Sequence, residues 1–466
     1  MSGMPDYGDV LEKWHKSGIP RSELTQFMRR SDAKGILQTL SFLAVLGGLG
    51  YLAFRTIGTW WAIPAFFAYG TVYCFLNHVM HETHHRTPFK SVWINEAVHW
   101  ISGFAHGAEP IFDRWGHTQH HTFTYIIGKD PEVVTPRPAN IPRILGQFFG
   151  IGIIKPLPII RHALGIIDGY TRELVPESDW KKMIWSSRFW LLGYALIVAS
   201  CFYFNTVLPL VYTLFARFYG AFIPTLLNDT QHIGLAQDVY DHRLCTRDVY
   251  LNPVISFIYW NMQYHIEHHM FPGVPFHALK KLHSRIKDQL PPAYGNVWAV
   301  YKEMIPTLLK QQKDPDYFVT PKLPEPAPVS LTSRVDAADG RARKEFTERD
   351  DEGNLLTWVT VCPSDGLKAP DVVSFLHKEK YYAVYRLPDG LYATSGKCTH
   401  AGAILAKGIV IGGEIECPAH QGRFDIRSGI STRSPACDRL ELYRVKEEAG
   451  EILLAIPGQP LSHLRL

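Results

Sequence analysis

The stretch His78-Val79-Met80-His81-Glu82-Thr83-His84-His85 closes a long apolar run and packs four histidines into eight residues. That is an odd way to build either a hydrophobic core or a solvated turn, since imidazole is costly to bury without a partner. Two later stretches repeat the chemistry: His117-Thr118-Gln119-His120-His121 and His265-Ile266-Glu267-His268-His269. If each is helical, its three imidazoles stand at i, i+3 and i+4 and project from one face. Three such faces can surround a metal pair.

The number of imidazoles sets the number of metals. His81 and His85, His117, His120 and His121, and His265, His268 and His269 make eight, and His232 follows in Asn228-Asp229-Thr230-Gln231-His232. One tetrahedral zinc needs only four ligands, so eight or nine fit two metals. Imidazole suits iron, zinc, copper and nickel, and residue type alone does not name the metal. His81-Glu82-Thr83-His84-His85 also satisfies the HExxH pattern of zinc metalloproteases, but that reading needs one further ligand and leaves two boxes unexplained. His78 and His84 stay open, as ligands or as partners of ligands. Metal-bound imidazoles usually donate their other N–H to a carboxylate or carbonyl, which makes Glu82, Glu267, Asp229 and Asp130 candidate partners. Isolated histidines such as His99, His242 and His283 read as surface or hydrogen-bonded core residues.

Around the boxes the chain alternates in character. At 466 residues it is too long for one core and predicts two or three domains. Residues 1–35 are polar, with no cleavable apolar leader, and contain Arg29-Arg30-Ser31-Asp32-Ala33-Lys34. Residues 36–54 and 57–76 are apolar and joined by a very short link, and residues 189–227 form a run long enough for two spans of ~20 residues with a turn at Asn205-Thr206. The expectation is four transmembrane helices in two hairpins; a buried hairpin of a soluble protein is the alternative. Arg29, Arg30, Lys34, Arg86, Lys90, Lys181 and Lys182 mark the side carrying all three boxes as cytoplasmic. Arg217 falls inside the last span and must snorkel or face protein. A net charge of +4 gives no reason to expect nucleic acid.

Five prolines between Pro315 and Pro328 introduce a linker, and short apolar runs at residues 355–361, 381–385, 391–394 and 451–456 predict a small β domain. The expected domains are residues 1–35, a cytoplasmic segment; 36–310, the membrane domain; 311–353, the linker; and 354–466, the β domain. Seven cysteines, an odd number including Cys437, argue for reduced thiols rather than a disulfide framework. Cys398-Thr399-His400 and Cys417-Pro418-Ala419-His420 pair two thiolates with two imidazoles, the donor set of a Rieske [2Fe-2S] cluster, with a Cys2His2 zinc site as the alternative. No complete nucleotide-binding GxGxxG motif is present.

In the three boxes, their order, the four-span layout and the segment Tyr264-His265-Ile266-Glu267-His268-His269-Met270-Phe271-Pro272, residues 35–300 resemble the membrane fatty-acid desaturase and hydroxylase superfamily. The resemblance implies a di-iron centre at the cytoplasmic membrane face, O2 as oxidant and removal of hydrogen from an unactivated C–H bond of a fatty-acyl or other lipid substrate. It also implies His232 as a further ligand, and no catalytic residue beyond the ligands is singled out. Residues 354–458, with Gly402, Gly422 and Gly429 near the loops, resemble a Rieske ferredoxin; where high-potential relatives join the cluster loops by a disulfide this chain has Ala403 and Ala419, so it is similar to the low-potential type. The expected enzyme is an oxidoreductase of a bacterial inner membrane with both centres cytoplasmic, reduced by a separate NAD(P)H-dependent flavin reductase. Desaturation and hydroxylation both remain open. The alternative substrate class comes from a similarity to bacterial rhizopine oxygenases, which oxidatively O-demethylate a small polar compound. A non-enzymatic metal transporter would need polar residues along the spans, where charged ones are scarce apart from Arg217.

Overall fold

The computed structural model describes residues 7–133, 137–152, 156–325, 345–349, 353, 355–436 and 438–457. Cys437, Pro326 and Pro328 lie outside them. The chain divides into two compact units, one of His15–Ser17 and Gln26–Pro328, the other of Met1–Trp14, Gly18–Thr25 and Val329–Leu466.

The larger unit is helical. Asp32–Arg55 begins where the Ser31 side chain accepts the Lys34 N–H at 3.4 Å, and it runs apolar to Arg55. With Glu177–Tyr203 it is one of two helices, among the described residues, long and apolar enough to cross a membrane. Only 11 % and 17 % of their apolar windows are buried, so neither is enclosed as the core helix of a soluble domain would be. The other arm of each expected hairpin is interrupted. Ala62–Cys74 and Leu76–His84 are separated by Phe75, and beyond Asn205 the run forms three short helices, Leu208–Val211, Ala216–Gly220 and Phe222–His232. Asn205 occupies the left-handed region at φ 49°, which asparagine tolerates better than most residues, and makes the expected turn. Pro64, Pro209 and Pro224 each lie in a first helical turn, where a missing N–H costs nothing.

Leu76–His84 packs on Val92–His106, and Glu177–Tyr203 packs on both Pro156–Ala163 and Pro110–Thr122. Ala62–Cys74 crosses Ala216–Gly220 at two facing glycines, Gly70 and Gly220, with no room between the backbones for a side chain. Arg217 therefore faces protein rather than snorkelling: it is 3 % exposed, with Nη2 donating to the Ala105 carbonyl at 3.3 Å.

The smaller unit has three four-stranded antiparallel sheets among the described residues. One orders Glu345–Arg349, Leu355–Pro363, Glu451–Pro457 and Val445–Glu448; the second orders Leu442–Tyr443, Gly390–Ser395, Lys380–Leu387 and Asp371–His377. The third carries Ile409–Ile411, Glu414–Glu416, Arg423–Asp425 and Ser431–Arg433 in sequence order. Tyr385, Leu405, Phe424 and Ile426 form a core together with Cys398 and Cys417.

Two features depart from the sequence expectations. Glu345–Arg349 lies in the stretch read as linker yet pairs with the following strand; all five residues are exposed, so no alternation of apolar and polar positions announces it. Part of the N-terminal segment belongs to the β unit. Arg21 donates through Nε to Asp371 at 2.5 Å and through Nη1 and Nη2 to the Ala406 and Gly408 carbonyls at 2.7 and 2.6 Å, and Glu12 pairs with Lys407.

A methyl at the glycine crossing has to push two helices apart. Gly220→Ala is expected to destabilise the helical unit by about 1–3 kcal/mol, as overpacking of a tight site does. A lowered melting temperature in detergent is the expected readout, and an unchanged one contradicts the crossing.

Candidate metal centres

Each box is positioned by its own helix. The first sits on Leu76–His84. The second lies on Pro110–Thr122, whose start is fixed by Glu109: its carboxylate accepts the Ile111 and Phe112 N–H groups at 3.1 and 2.6 Å and a hydroxyl proton from Ser186. The third fills the short helix His265–Met270, where buried Asp248 accepts the Ile266 N–H at 2.9 Å. His232 ends Phe222–His232.

All nine imidazoles come together. His81, His85, His117, His121 and His268 offer ring nitrogens within 4.8 Å of one another, as do His120, His232 and His269. His265 joins the second group, its Nε2 lying 3.1 Å from Nε2 of both His232 and His269, while His85 and His117 Nε2 are 2.9 Å apart in the first. The groups abut, with His121 stacked on His269 at 4.3 Å between ring centres. Two imidazoles bound at ~2.1 Å to one ion at about a right angle have nitrogens ~3 Å apart, so this spacing is that of shared ligation. Both ring nitrogens of His121 and His268, and Nδ1 of His81 and His265, are buried without a hydrogen-bond partner among the described residues. Such orphans are costly in a dry site, and a metal pair would take up one nitrogen lone pair on each of His121 and His268, so the residues present fit it.

An outer ring holds the imidazoles in place. Asp130 accepts from His120 Nδ1 at 2.9 Å, Glu132 from His117 Nδ1 at 3.0 Å, and the Cys245 carbonyl from His232 Nδ1 at 2.8 Å. Thr124 Oγ1 lies 3.1 Å from His269 Nδ1. Glu82 lies 3.8 Å from His268 Nδ1 and accepts the Phe276 N–H. Glu267 turns instead to His283 at 2.5 Å, with Asp248 close by, making a separate buried triad from a histidine the sequence left as isolated. Asp229 is buried without touching a box histidine, and burial pushes its carboxyl up to about 7. His78 Nε2 faces Asn228 at 2.9 Å and His84 Nε2 lies 3.0 Å from Asp113, so both stand beside the nine rather than among them. His99 is a core residue between Thr83 and Pro110, as expected, and buried His242 lies 5.3 Å from the His269 ring.

Protonation follows from burial. Desolvation, reinforced by neighbouring imidazoles, holds His81, His85, His117, His121, His265 and His269 well below the ordinary histidine range and brings His232 and His268 down to about 3. These rings are neutral at pH 7, the form that ligates. His120 alone among the nine is raised, to about 9, since burial lowers it but Asp130 and Glu132 outweigh burial. A cavity of about 390 Å³ is bordered by His81, His84, His117, His120, His232 and His265 and by polar Asn77, Asn228 and Asp229.

In the β unit, Cys398 and Cys417 are buried free thiols. Backbone bonds from Cys398 N to Ala403 O at 2.9 Å and from Cys417 N to Gly422 O at 2.8 Å tie up the two loops, and the His400 and His420 rings lie 4.9 Å apart. Two thiols and two imidazoles on facing loops fit one [2Fe-2S] cluster. Glu132, Asp113, Asn228 and Glu109 were not found from the sequence. Glu132 stands two residues after Asp130, the one near signal; the other three are single polar residues whose role depends on packing.

The family model described as fatty acid desaturase matches residues 58–301, and the model for the Rieske [2Fe-2S] domain matches residues 357–444. The chain is 36 % identical over 97 residues to the ferredoxin component of a naphthalene 1,2-dioxygenase/salicylate 5-hydroxylase system from a Ralstonia species, covering 21 % of this chain and 93 % of that protein. It is 31 % identical over 101 residues to the anthranilate 1,2-dioxygenase ferredoxin subunit of Burkholderia cepacia, covering 22 % and 94 %. Among solved structures, a chain in the complex of reduced oxygenase and oxidised ferredoxin of carbazole 1,9a-dioxygenase is 31 % identical, covering 23 % of this chain and 97 % of that one at a TM-score of 0.22.

Glu132→Gln is expected to weaken metal retention ~10- to 100-fold, as loss of an outer-ring partner does, measured by competition with a chelator. Equal retention contradicts the role of Glu132. Because His232 and His268 are depressed to about 3 against 6.5 for a free histidine, their contribution to stability is present above pH 6.5 and is lost as pH falls through that window toward 3. Metal release and unfolding should therefore set in below about pH 6. A protein that keeps its metal and melts unchanged at pH 4 contradicts this.

Proposed function

The chain belongs to the fatty acid desaturase family and carries a Rieske [2Fe-2S] domain, and on that premise we propose that it desaturates or hydroxylates a C–H bond of a fatty-acyl or other lipid substrate. It is an oxygen-dependent oxidoreductase with a Rieske electron carrier. The Rieske domain implies a [2Fe-2S] cluster, and the family with its histidine-rich site is consistent with a di-iron centre. The observation that carries the reading is the convergence of nine imidazoles, seven buried and His81 and His232 half-buried, most of them neutral, beside a cavity.

His81, His85, His117, His121 and His268 would hold one iron and His120, His232, His265 and His269 the other, while Cys398, Cys417, His400 and His420 would hold the cluster. Bound there, the iron pair supplies the cleavage of O2 and the removal of hydrogen from carbon, and the cluster supplies electrons received from an NAD(P)H-dependent flavin reductase. The protein's own part is positional. Asp130, Glu132 and the Cys245 carbonyl fix ring orientation and tautomer, so the ligating nitrogens point inward without rearrangement. Burial excludes bulk water from the boxes, which strengthens every polar interaction within and keeps oxidising equivalents from being lost to solvent.

Residues 36–54, 57–76 and two segments within 189–227 would be the four spans, placing both centres on the cytoplasmic side of a bacterial inner membrane. The exposed Leu37, Leu40, Tyr51, Phe189, Leu192 and Leu196 on the two long helices support lipid contact. The polar cavity wall of Asn77, Asn228 and Asp229 favours a second reading, oxidative O-demethylation of a small polar substrate.

Expression with a flavin reductase, followed by product analysis, separates the two: a new double bond or hydroxyl in lipid extracts supports the first, formaldehyde the second. His268→Ala should abolish oxidation while the Rieske optical spectrum persists, and retained turnover sinks the assignment. Cys398→Ser should remove the cluster, with activity returning only on addition of an external electron donor.

A further inference from the structure

Arg217 is a buried cation without a counter-ion. It is 3 % exposed, its Nη2 reaches only the Ala105 carbonyl at 3.3 Å, and its Nε and Nη1 have no hydrogen-bond partner among the described residues. No carboxylate among those residues pairs with it: of the acids bordering the same cavity, Glu109 holds Ile111, Phe112 and Ser186, Glu132 holds His117, Asp113 lies beside His84, and Asp229, whose buried Oδ2 has no hydrogen-bond partner among the described residues, forms no ion pair with it. An unpaired buried guanidinium is among the most costly groups a protein can carry, above all in a segment proposed to span lipid.

Its position gives the cost a use. Arg217 borders the histidine cavity and also a second cavity of about 320 Å³, otherwise lined by groups such as Ile159, Ile160, Leu191, Leu214 and Phe218. Gly107 lets it stand there: this residue adopts φ 83°, and a Cβ on it would come 3.1 and 3.2 Å from the two terminal guanidinium nitrogens. A cation with free donors, placed where an imidazole-lined cavity meets a wholly apolar one, is complementary to a molecule with an anionic group on a hydrocarbon body.

We propose that Arg217 binds the carboxylate of the substrate, so that the enzyme acts on a free organic acid with an apolar portion rather than on a neutral ester or alkane. This rests on the oxygenase reading above and narrows its substrate class. Arg217 is a binding residue here: its two free nitrogens donate to the carboxylate, the apolar pocket takes hydrocarbon, and the histidine cavity receives the carbon to be oxidised.

The test is binding without turnover. Decanoate, methyl decanoate and decan-1-ol are titrated into the purified, iron-loaded full chain in detergent, without reductant, and dissociation constants are measured by equilibrium dialysis. Wild type should bind decanoate more than about tenfold more tightly than the ester or alcohol, the scale of a hydrogen-bonded charge. Arg217→Gln should erase that preference by weakening decanoate alone, and Arg217→Lys should restore part of it. An arginine that merely caps the helix ending at His106 would lower the melting temperature on substitution and leave the three probes bound alike. Equal affinity of wild type for acid and ester overturns the proposal, as does undiminished decanoate binding by Arg217→Gln. If Arg217→Gln loses its bound iron, the wild-type comparison and Arg217→Lys decide. Failure of the oxygenase reading has a different signature: decanoate binds selectively to a protein that never oxidises any acid.

Discussion

The helical unit depends on one electrostatic constraint: nine imidazoles, seven of them buried, converge with their inward nitrogens facing one another, an arrangement that a cation would relieve. Desolvation and mutual repulsion together forbid protonation of most of the set, so the neutral rings present lone pairs to one another at about 3 Å. Such an arrangement is unfavourable alone and favourable around a metal pair. Other features of the unit serve that convergence. The Gly70–Gly220 crossing brings the interrupted arms close, Glu109 starts the helix of the second box, and Asp248 pins the short helix of the third.

Most of this site was legible in the sequence because ligand spacing is a local code. The i, i+3, i+4 triplets announce a shared face whatever the tertiary fold, and His232 stands in a polar pentad after an apolar run. What was not legible depends on packing. Glu132 and Asp113 look like any surface acids until a helix is laid beside them, and His283 stood alone in the sequence yet forms a buried triad with Asp248 and Glu267. Glu267 shows the limit from the other side: its neighbours are two box histidines, but its carboxylate turns to His283.

The fold was read with similar success and a similar limit. Hydropathy found the long apolar helices but not the breaks at Phe75 and near Tyr212 that make their partner arms discontinuous. In the β unit the short apolar runs at residues 355–361, 381–385, 391–394 and 451–456 fall on strands as expected, whereas exposed Glu345–Arg349 carries no such run. Arg21, lying more than three hundred residues away in the chain, anchors the N-terminal segment to the β unit through three hydrogen bonds that no local motif could signal.

The central claim is that the nine histidines hold two irons and that the β unit holds a separate [2Fe-2S] cluster. Mössbauer spectroscopy of the intact chain grown on 57Fe tests it most directly. The account predicts about four irons per chain in two distinct spin-coupled pairs, one with the sulfide-ligated signature of a Rieske cluster and one with nitrogen-rich high-spin character. A single iron pair, with zinc or nothing bound by the histidines, would contradict it.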